Sequence, residues 1–303
     1  MIFQPLLTYE RNGLTENTFF GAVSIYNENK IVFEVGRNPL VYARSLLKPF
    51  YTRAYANLLY NLNNKQKAIS LSSHNGSKKH VEVAYSLLGE VGEKFLLTPK
   101  SGPLISEDGD QRNPSKWIHN SSGHHAGIVL GLIKSEISPI NYTHKSHKVF
   151  LNFKEEIYKA MGDGYRLEKL ARDGDGLPTL AMKIADIAKA YSYLATCRDQ
   201  DWVWQAFSEE PYYIGGAGRL DSAINKLGKG DLIAKEGADG LLAVSSKTGW
   251  AFTIKMAHGW DTLPTWAVAR EILNKLGYNL LALENPKGQK IVLSHQIESF
   301  RTL

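Results

Sequence analysis

Short runs of β-branched and aromatic residues sit at both ends of the chain, and apolar residues at helical spacing fill the middle. Residues 19–26 (Phe-Phe-Gly-Ala-Val-Ser-Ile-Tyr) and 30–35 (Lys-Ile-Val-Phe-Glu-Val) flank Asn27-Glu28-Asn29, which predicts a hairpin. Gly36 to Pro39 break the second strand. Residues 240–245 and 250–256 predict two late strands, joined by a turn at Ser246-Lys247-Thr248-Gly249.

Between these ends the pattern changes period. Pro49 is tolerated only in the first turn of a helix, so a helix is predicted from near Ser45. Phe50, Ala54 and Leu58 continue it at i, i+4 and i+8. Residues 67–72 read as a short strand, 73–77 as a turn and 78–89 as a helix. Residues 97–116, rich in Gly, Pro, Ser and Asp, read as a long loop of the kind that carries function. A helix is predicted from Ser121 or Ser122 through 133, with others at 152–161, 178–195, 200–208, 218–227 and 264–276. Pro178 suits a first helical position and Gly277 a helix stop. The expected architecture is α+β: one unit over 1–303 with a mostly antiparallel sheet built from both termini and flanked by helices. A helical subdomain at about 120–210 is inserted between the sheet segments.

Composition narrows the classes. The chain has 303 residues, 43% hydrophobic and 22% charged, enough to bury a core without staples. Its one cysteine, Cys197, excludes an internal disulfide and reads as a small core residue. The net charge of +6 comes from scattered lysines and arginines, with Lys78-Lys79 and Lys145/Lys148 the densest groups. That describes a solvated basic surface rather than a nucleic-acid footprint. Residues 1–10 lack a basic-then-apolar leader, and the longest apolar run, 126–133, is too short to span a bilayer. The expectation is a cytoplasmic protein without membrane or nucleic-acid partners. Nothing locates an interface, although a homodimer is compatible with the chain.

The candidate chemistry begins at Ser45 and Lys48. Residues three apart share one helix face, so the amine can reach the hydroxyl one turn earlier. A serine needs such a base to become a nucleophile, and burial or a nearby cation lowers a lysine's pKa enough to supply it. Arg44 adds positive charge or a fork for a carboxylate. Ser-x-x-Lys arises by chance in chains of this length, so its surroundings decide its weight. His119, His144, His147, His258 and His295 have no metal-ligand spacing. No Walker motif or full dinucleotide fingerprint occurs, and Lys247-Thr248-Gly249 reads as a hairpin turn.

Those surroundings form an ordered series. The blocks are Ala43-Arg44-Ser45-Leu46-Leu47-Lys48-Pro49, Ser72-Ser73-His74-Asn75-Gly76 through His80, Asn120-Ser121-Ser122-Gly123-His124-His125-Ala126-Gly127, Asp173-Gly174-Asp175-Gly176-Leu177-Pro178-Thr179, Gly216-Ala217-Gly218-Arg219, and Lys235-Glu236-Gly237-Ala238-Asp239-Gly240. In this order they resemble the rhizobial-type L-asparaginase (asparaginase II) family over most of the chain. The resemblance implies a fold similar to serine β-lactamases and hydrolysis of L-asparagine to aspartate and ammonia. It also implies two Ser–Lys pairs, Ser45–Lys48 and Ser73–Lys255. Ser45 is then the nucleophile and Lys48 its base, with Ser73 and Lys255 relaying protons; the two pairs are open to exchange. Arg44, His125 and Asp173 fall at substrate-side positions, Asp173 facing an α-ammonium. A helix N-terminus near Ser122 offers N–H groups to a developing oxyanion.

One departure stands out. The family's Cys, Lys and Cys zinc ligands fall on Ser121, His124 and Asp175. Without the two thiolates, the expectation is a weak metal site or a metal-free hydrogen-bonded cluster, with no cofactor required; a Ser–His–Asp nucleophilic triad is a third arrangement. Two further readings stay open: a β-lactamase- or peptidase-like serine hydrolase, and a relative that binds an amino acid without turnover.

Overall fold

The computed structural model describes residues 1–107, 113–285 and 287–301. Its main sheet is antiparallel and seven-stranded, in the order β10-β1-β2-β9-β8-β7, with β3 also on β2. The strands are β1 (Gln4–Arg11), β2 (Leu14–Asn27), β3 (Lys30–Val35), β7 (Leu232–Gly237), β8 (Leu241–Ser246), β9 (Ala251–Met256) and β10 (Lys290–Leu293). β2 and β9 lie side by side, with Ala22 opposite Lys255, so the two ends of the chain meet at the centre of the sheet. A smaller antiparallel sheet, β4-β6-β5, joins β4 (Leu40–Tyr42), β6 (Pro178–Lys183) and β5 (Lys169–Arg172). The fold is therefore α+β with a sheet drawn from both termini.

Alternation along the strands divides the interior. Leu232, Leu242, Val244, Phe252 and Ile254 face one core with the Leu263–Lys275 helix. Ile233, Leu241, Ala243 and Ala251 face a second core, which takes in the Ile184–Thr196 and Ser122–Lys134 helices. A period of two sends neighbours to opposite faces, so one strand supplies both cores. The second face carries the site. Among the described residues no helix is long and apolar enough to cross a membrane.

Several elements differ from the sequence expectation. The long helix from Ser45 is a 3-10 turn (Arg44–Leu47), an α-helix (Lys48–Arg53) and a second 3-10 turn (Ala56–Leu59). Residues 67–72 are not a strand. The Asn64–Ile69 helix covers them in part, and Asn63 with Gln66 forms a reciprocal capping box at its start. Pro178 does not open a helix. It opens β6 opposite Arg172, and the helix waits until Ile184. A first strand position tolerates proline because no interior ladder N–H is lost. β5 and β6 thus interrupt the 120–210 segment. Residues 108–112 of the 97–116 loop lie outside the described residues. Ser246 to Trp250 close the β8–β9 turn, and Cys197 is buried.

Candidate active site

The site forms where the small sheet meets the Lys48–Arg53 and Ser122–Lys134 helices. Ala43 extends the β4 ladder through its N–H to the Leu180 carbonyl. Arg44 then adopts φ +51°, a left-handed conformation that costs a non-glycine residue about 1–3 kcal/mol. Its N–H donates to Thr179 Oγ1 at 2.9 Å, which holds the bend. The bend swings the guanidinium over the β5–β6 loop, where Nη1 donates to Asp173 Oδ1 at 3.0 Å.

That loop is a tight hairpin tip. The Asp173 N–H donates to the Leu177 carbonyl and the Gly176 N–H to the Asp173 carbonyl, with Gly176 at φ +98°. Asp175 Oδ1 accepts the Leu177 N–H at 3.0 Å, which aims its carboxylate inward. Burial, followed by the negative charge of Asp175, pushes Asp173 up. Burial also pushes Asp175 up, but hydrogen bonding and charge from His125, then Lys48, outweigh it and hold that carboxyl below the ordinary range.

Lys48 is buried. Its Nζ donates to the Ser72 carbonyl at 2.5 Å, Ser73 Oγ at 2.9 Å and Ser121 Oγ at 2.9 Å. Burial pulls it from its ordinary 10.5 down to about 7; Asp175 opposes the shift and Lys235 adds to it. Near neutral pH it is therefore an amine as often as an ammonium. The expected contact with Ser45 is not made: no hydrogen bond joins the two, and Lys48 pairs with Ser73 instead. Ser45 is half-buried and lines a small pocket with Arg44, Lys48, His124, Asp173 and Asp175.

Lys255 and Ser73 do not meet either. Lys255 Nζ donates to the Asp239 carbonyl at 2.7 Å, Asp239 Oδ2 at 3.1 Å and the Met256 carbonyl at 2.5 Å. The reason lies in the β7–β8 turn, where Asp239 at φ +68° brings both its carboxylate and its carbonyl to the amine. Burial lowers Lys255, Asp239 opposes this, and Arg44 lowers it further, so the residue is felt at the site without touching its serine.

The Ser122–Lys134 helix lies unusually close to the chain beneath it. A Cβ on Gly123 would stand 2.6 Å from the Ile69 carbonyl oxygen, a contact only glycine avoids. This approach lets His124 Nδ1 reach the Ser70 carbonyl at 2.8 Å. A carbonyl only accepts, so Nδ1 carries the proton and Nε2 the lone pair. His124 Nε2 is buried with no hydrogen-bond partner. Next to it, His125 Nδ1 is 2.6 Å from the Tyr142 hydroxyl, and that oxygen also accepts the Leu97 N–H. His125 Nε2 lies 3.6 Å from Asp175 Oδ2 and makes no hydrogen bond. The oxyanion expectation at Ser122 changes too: the Ser121 N–H goes to His119 Nδ1 and the Ser122 N–H to the His119 carbonyl.

These donors do not fit zinc. Ser121 Oγ is taken by Lys48, and Asp175 Oδ1 accepts the Leu177 N–H while its Oδ2 lies 3.6 Å from His125 Nε2. Among the described residues no three His, Cys, Asp or Glu side chains converge on a metal position. What remains is one imidazole lone pair, a poor set for a cation that prefers thiolate or several imidazoles.

The two blocks without an assigned role, 216–219 and 235–240, meet beneath the site. Arg219 donates to Glu236 Oε2 at 2.9 Å, the Ser73 carbonyl at 2.9 Å and Asn75 Oδ1 at 3.3 Å. Fully buried Lys235 donates to fully buried Asp221 at 3.0 Å. This network braces the 73–75 segment. Its sequence signal was only the order of the blocks, because charged residues 14 and 17 positions apart carry no spacing rule.

The L-asparaginase II family profile matches residues 7–295. No curated protein matches the chain by sequence. Among solved structures, the chain is similar to a Bacteroides dorei DSM 17855 protein with a provisional beta-lactamase assignment. The identity is 10% over 78% of this chain and 85% of that one, with a TM-score of 0.43.

Proposed function

The chain belongs to the L-asparaginase II family, and from that premise we propose that it hydrolyses L-asparagine by serine acyl transfer. Ser45 is the nucleophile, because it lines the pocket beside the Arg44–Asp173 pair. That pair carries the charges an amino acid needs: a guanidinium for the α-carboxylate and a carboxylate for the α-ammonium. Substrate separates the two and takes both charges. Lys48 accepts the Ser45 proton as the hydroxyl attacks the side-chain amide carbon. Ser73, 2.9 Å from Lys48 Nζ, passes a proton on to the departing ammonia. Water then releases aspartate. Lys255 contributes charge beside Arg44 rather than a relay. Ser121 is bonded to Lys48 and His124 to the Ser70 carbonyl rather than held for a metal, so the reaction needs no cofactor.

The observation that carries this reading is a buried lysine near pKa 7 among hydroxyls, beside a paired cation and anion. Purified protein is expected to release ammonia from L-asparagine, and Ser45→Ala to abolish the release. Undiminished activity in that variant would reject Ser45 as nucleophile. One observation favours a second reading, binding without turnover: Ser45 and Lys48 share no hydrogen bond. Calorimetric binding of asparagine without ammonia release would select it.

A further inference from the structure

We propose that His124 is a catalytic residue for the second half of the reaction: its Nε2 lone pair holds and deprotonates the water that cleaves the acyl-serine bond. The proposal rests on the reading of Ser45 as an acylated nucleophile and adds a residue that the Ser–Lys chemistry does not use.

Three observations converge. First, the ring is fully buried, and its Nδ1–H is fixed on the Ser70 carbonyl at 2.8 Å. The free tautomer choice is thereby removed, and an acceptor is left at Nε2. Second, that acceptor has no hydrogen-bond partner. A buried acceptor without one costs about 1–3 kcal/mol, so it is a strong place for water to bind. Third, Ser45, Lys48, Asp173 and Asp175 line the same pocket as His124. Those walls offer a water the two to four polar partners it uses. His125 Nε2 also makes no hydrogen bond, but it lies 3.6 Å from Asp175 Oδ2 and its ring does not line this pocket.

The step balances. The water oxygen bonds to the ester carbon while its proton passes to His124 Nε2. The ester C–O bond then breaks, its electron pair returns to Ser45 Oγ, and that oxygen takes the proton from the imidazolium. Serine is regenerated and the free acid leaves.

The test compares the full-length wild type with His124→Met and His124→Gln, using L-asparagine as substrate. His124→Met removes the acceptor and is expected to release about one ammonia per chain in a burst, as acylation proceeds without deacylation. Steady turnover then falls by about 10²–10⁴-fold, the usual contribution of a general base. Intact-mass analysis after acid quench is expected to find an acyl adduct on Ser45. Hydroxylamine, a nucleophile that needs no base, restores turnover. His124→Gln, which keeps an acceptor oxygen, retains part of the steady rate. Turnover close to wild type in His124→Met would overturn the proposal, as would slow turnover with neither burst, adduct nor hydroxylamine response. If the wild type itself neither releases ammonia nor forms an adduct, the asparaginase reading fails instead. The wild type also decides the tautomer without any variant: imidazole nitrogen shifts that put the proton on Nε2 would overturn the assignment.

Discussion

Lys48→Met separates the electrostatic cost of the buried amine from its hydrogen bonds. In the unfolded chain the amine titrates near its ordinary 10.5, and in the folded protein near about 7. Between those values the unfolded state binds the extra proton, so wild-type stability rises with pH through that window. The gain is complete only above the unfolded value, and below about 7 the full cost persists. One pKa unit corresponds to about 1.4 kcal/mol, so the whole shift amounts to about 5 kcal/mol, of which about 2 kcal/mol falls between pH 7 and pH 9. Methionine cannot titrate, so the difference in unfolding free energy, wild type minus variant, should move toward the wild type by about 2 kcal/mol over that interval. Urea unfolding of both proteins at pH 6, 7, 8 and 9 measures it. The loss of three hydrogen bonds shifts every point alike and does not affect the slope. A flat difference, or one that moves toward the variant, would refute the picture of a lysine held largely uncharged by burial. The same titration sets an acid limb near pH 7 in the ammonia-release profile, because only the amine form accepts the serine proton.

Three further perturbations address other parts of the site. Asp173→Asn should lower kcat/KM for asparagine by about 10- to 150-fold, from loss of a charged hydrogen bond of about 1.5–3 kcal/mol. It should leave succinamate, which lacks the α-amino group, nearly unchanged; equal losses on both substrates would contradict the ammonium contact. Gly123→Ala drives a Cβ toward the Ile69 carbonyl oxygen and should destabilise the protein by about 1–3 kcal/mol in a denaturant titration. Wild-type stability would mean that the helix moves away cheaply. Lys235→Met leaves Asp221 buried and unpaired and should cost about 3–5 kcal/mol, with Asp221→Asn in the same chain recovering most of it. A double variant as unstable as the single would point to packing rather than charge.

Ser45 and Lys48 lie three residues apart, which told of one face but not of a contact. Lysine's four methylenes swing its amine over several ångströms, and the direction was chosen by acceptors 24, 25 and 73 residues away. The same holds for Lys255, captured by Asp239 across a turn. The Asn64–Ile69 helix was legible from its Asn-x-x-Gln cap, a signal outweighed by the apolar run after it. Pro178 fitted a helix start on local rules and became a strand because β4 and β5 flank it.

The chain by itself determined four strands of the main sheet, most of the helices and the order of the blocks that carry chemistry, while β1, β7 and β10 were not read from it. Periodicity, breakers and residue type act within a few positions, so they can be read one segment at a time. Tertiary structure alone decided which serine meets Lys48, the lone pair on His124 and the bracing of the 73–75 segment by Arg219. Each of those depends on atoms brought within about 3 Å from distant parts of the chain, at a distance where a hydrogen bond is made or lost entirely.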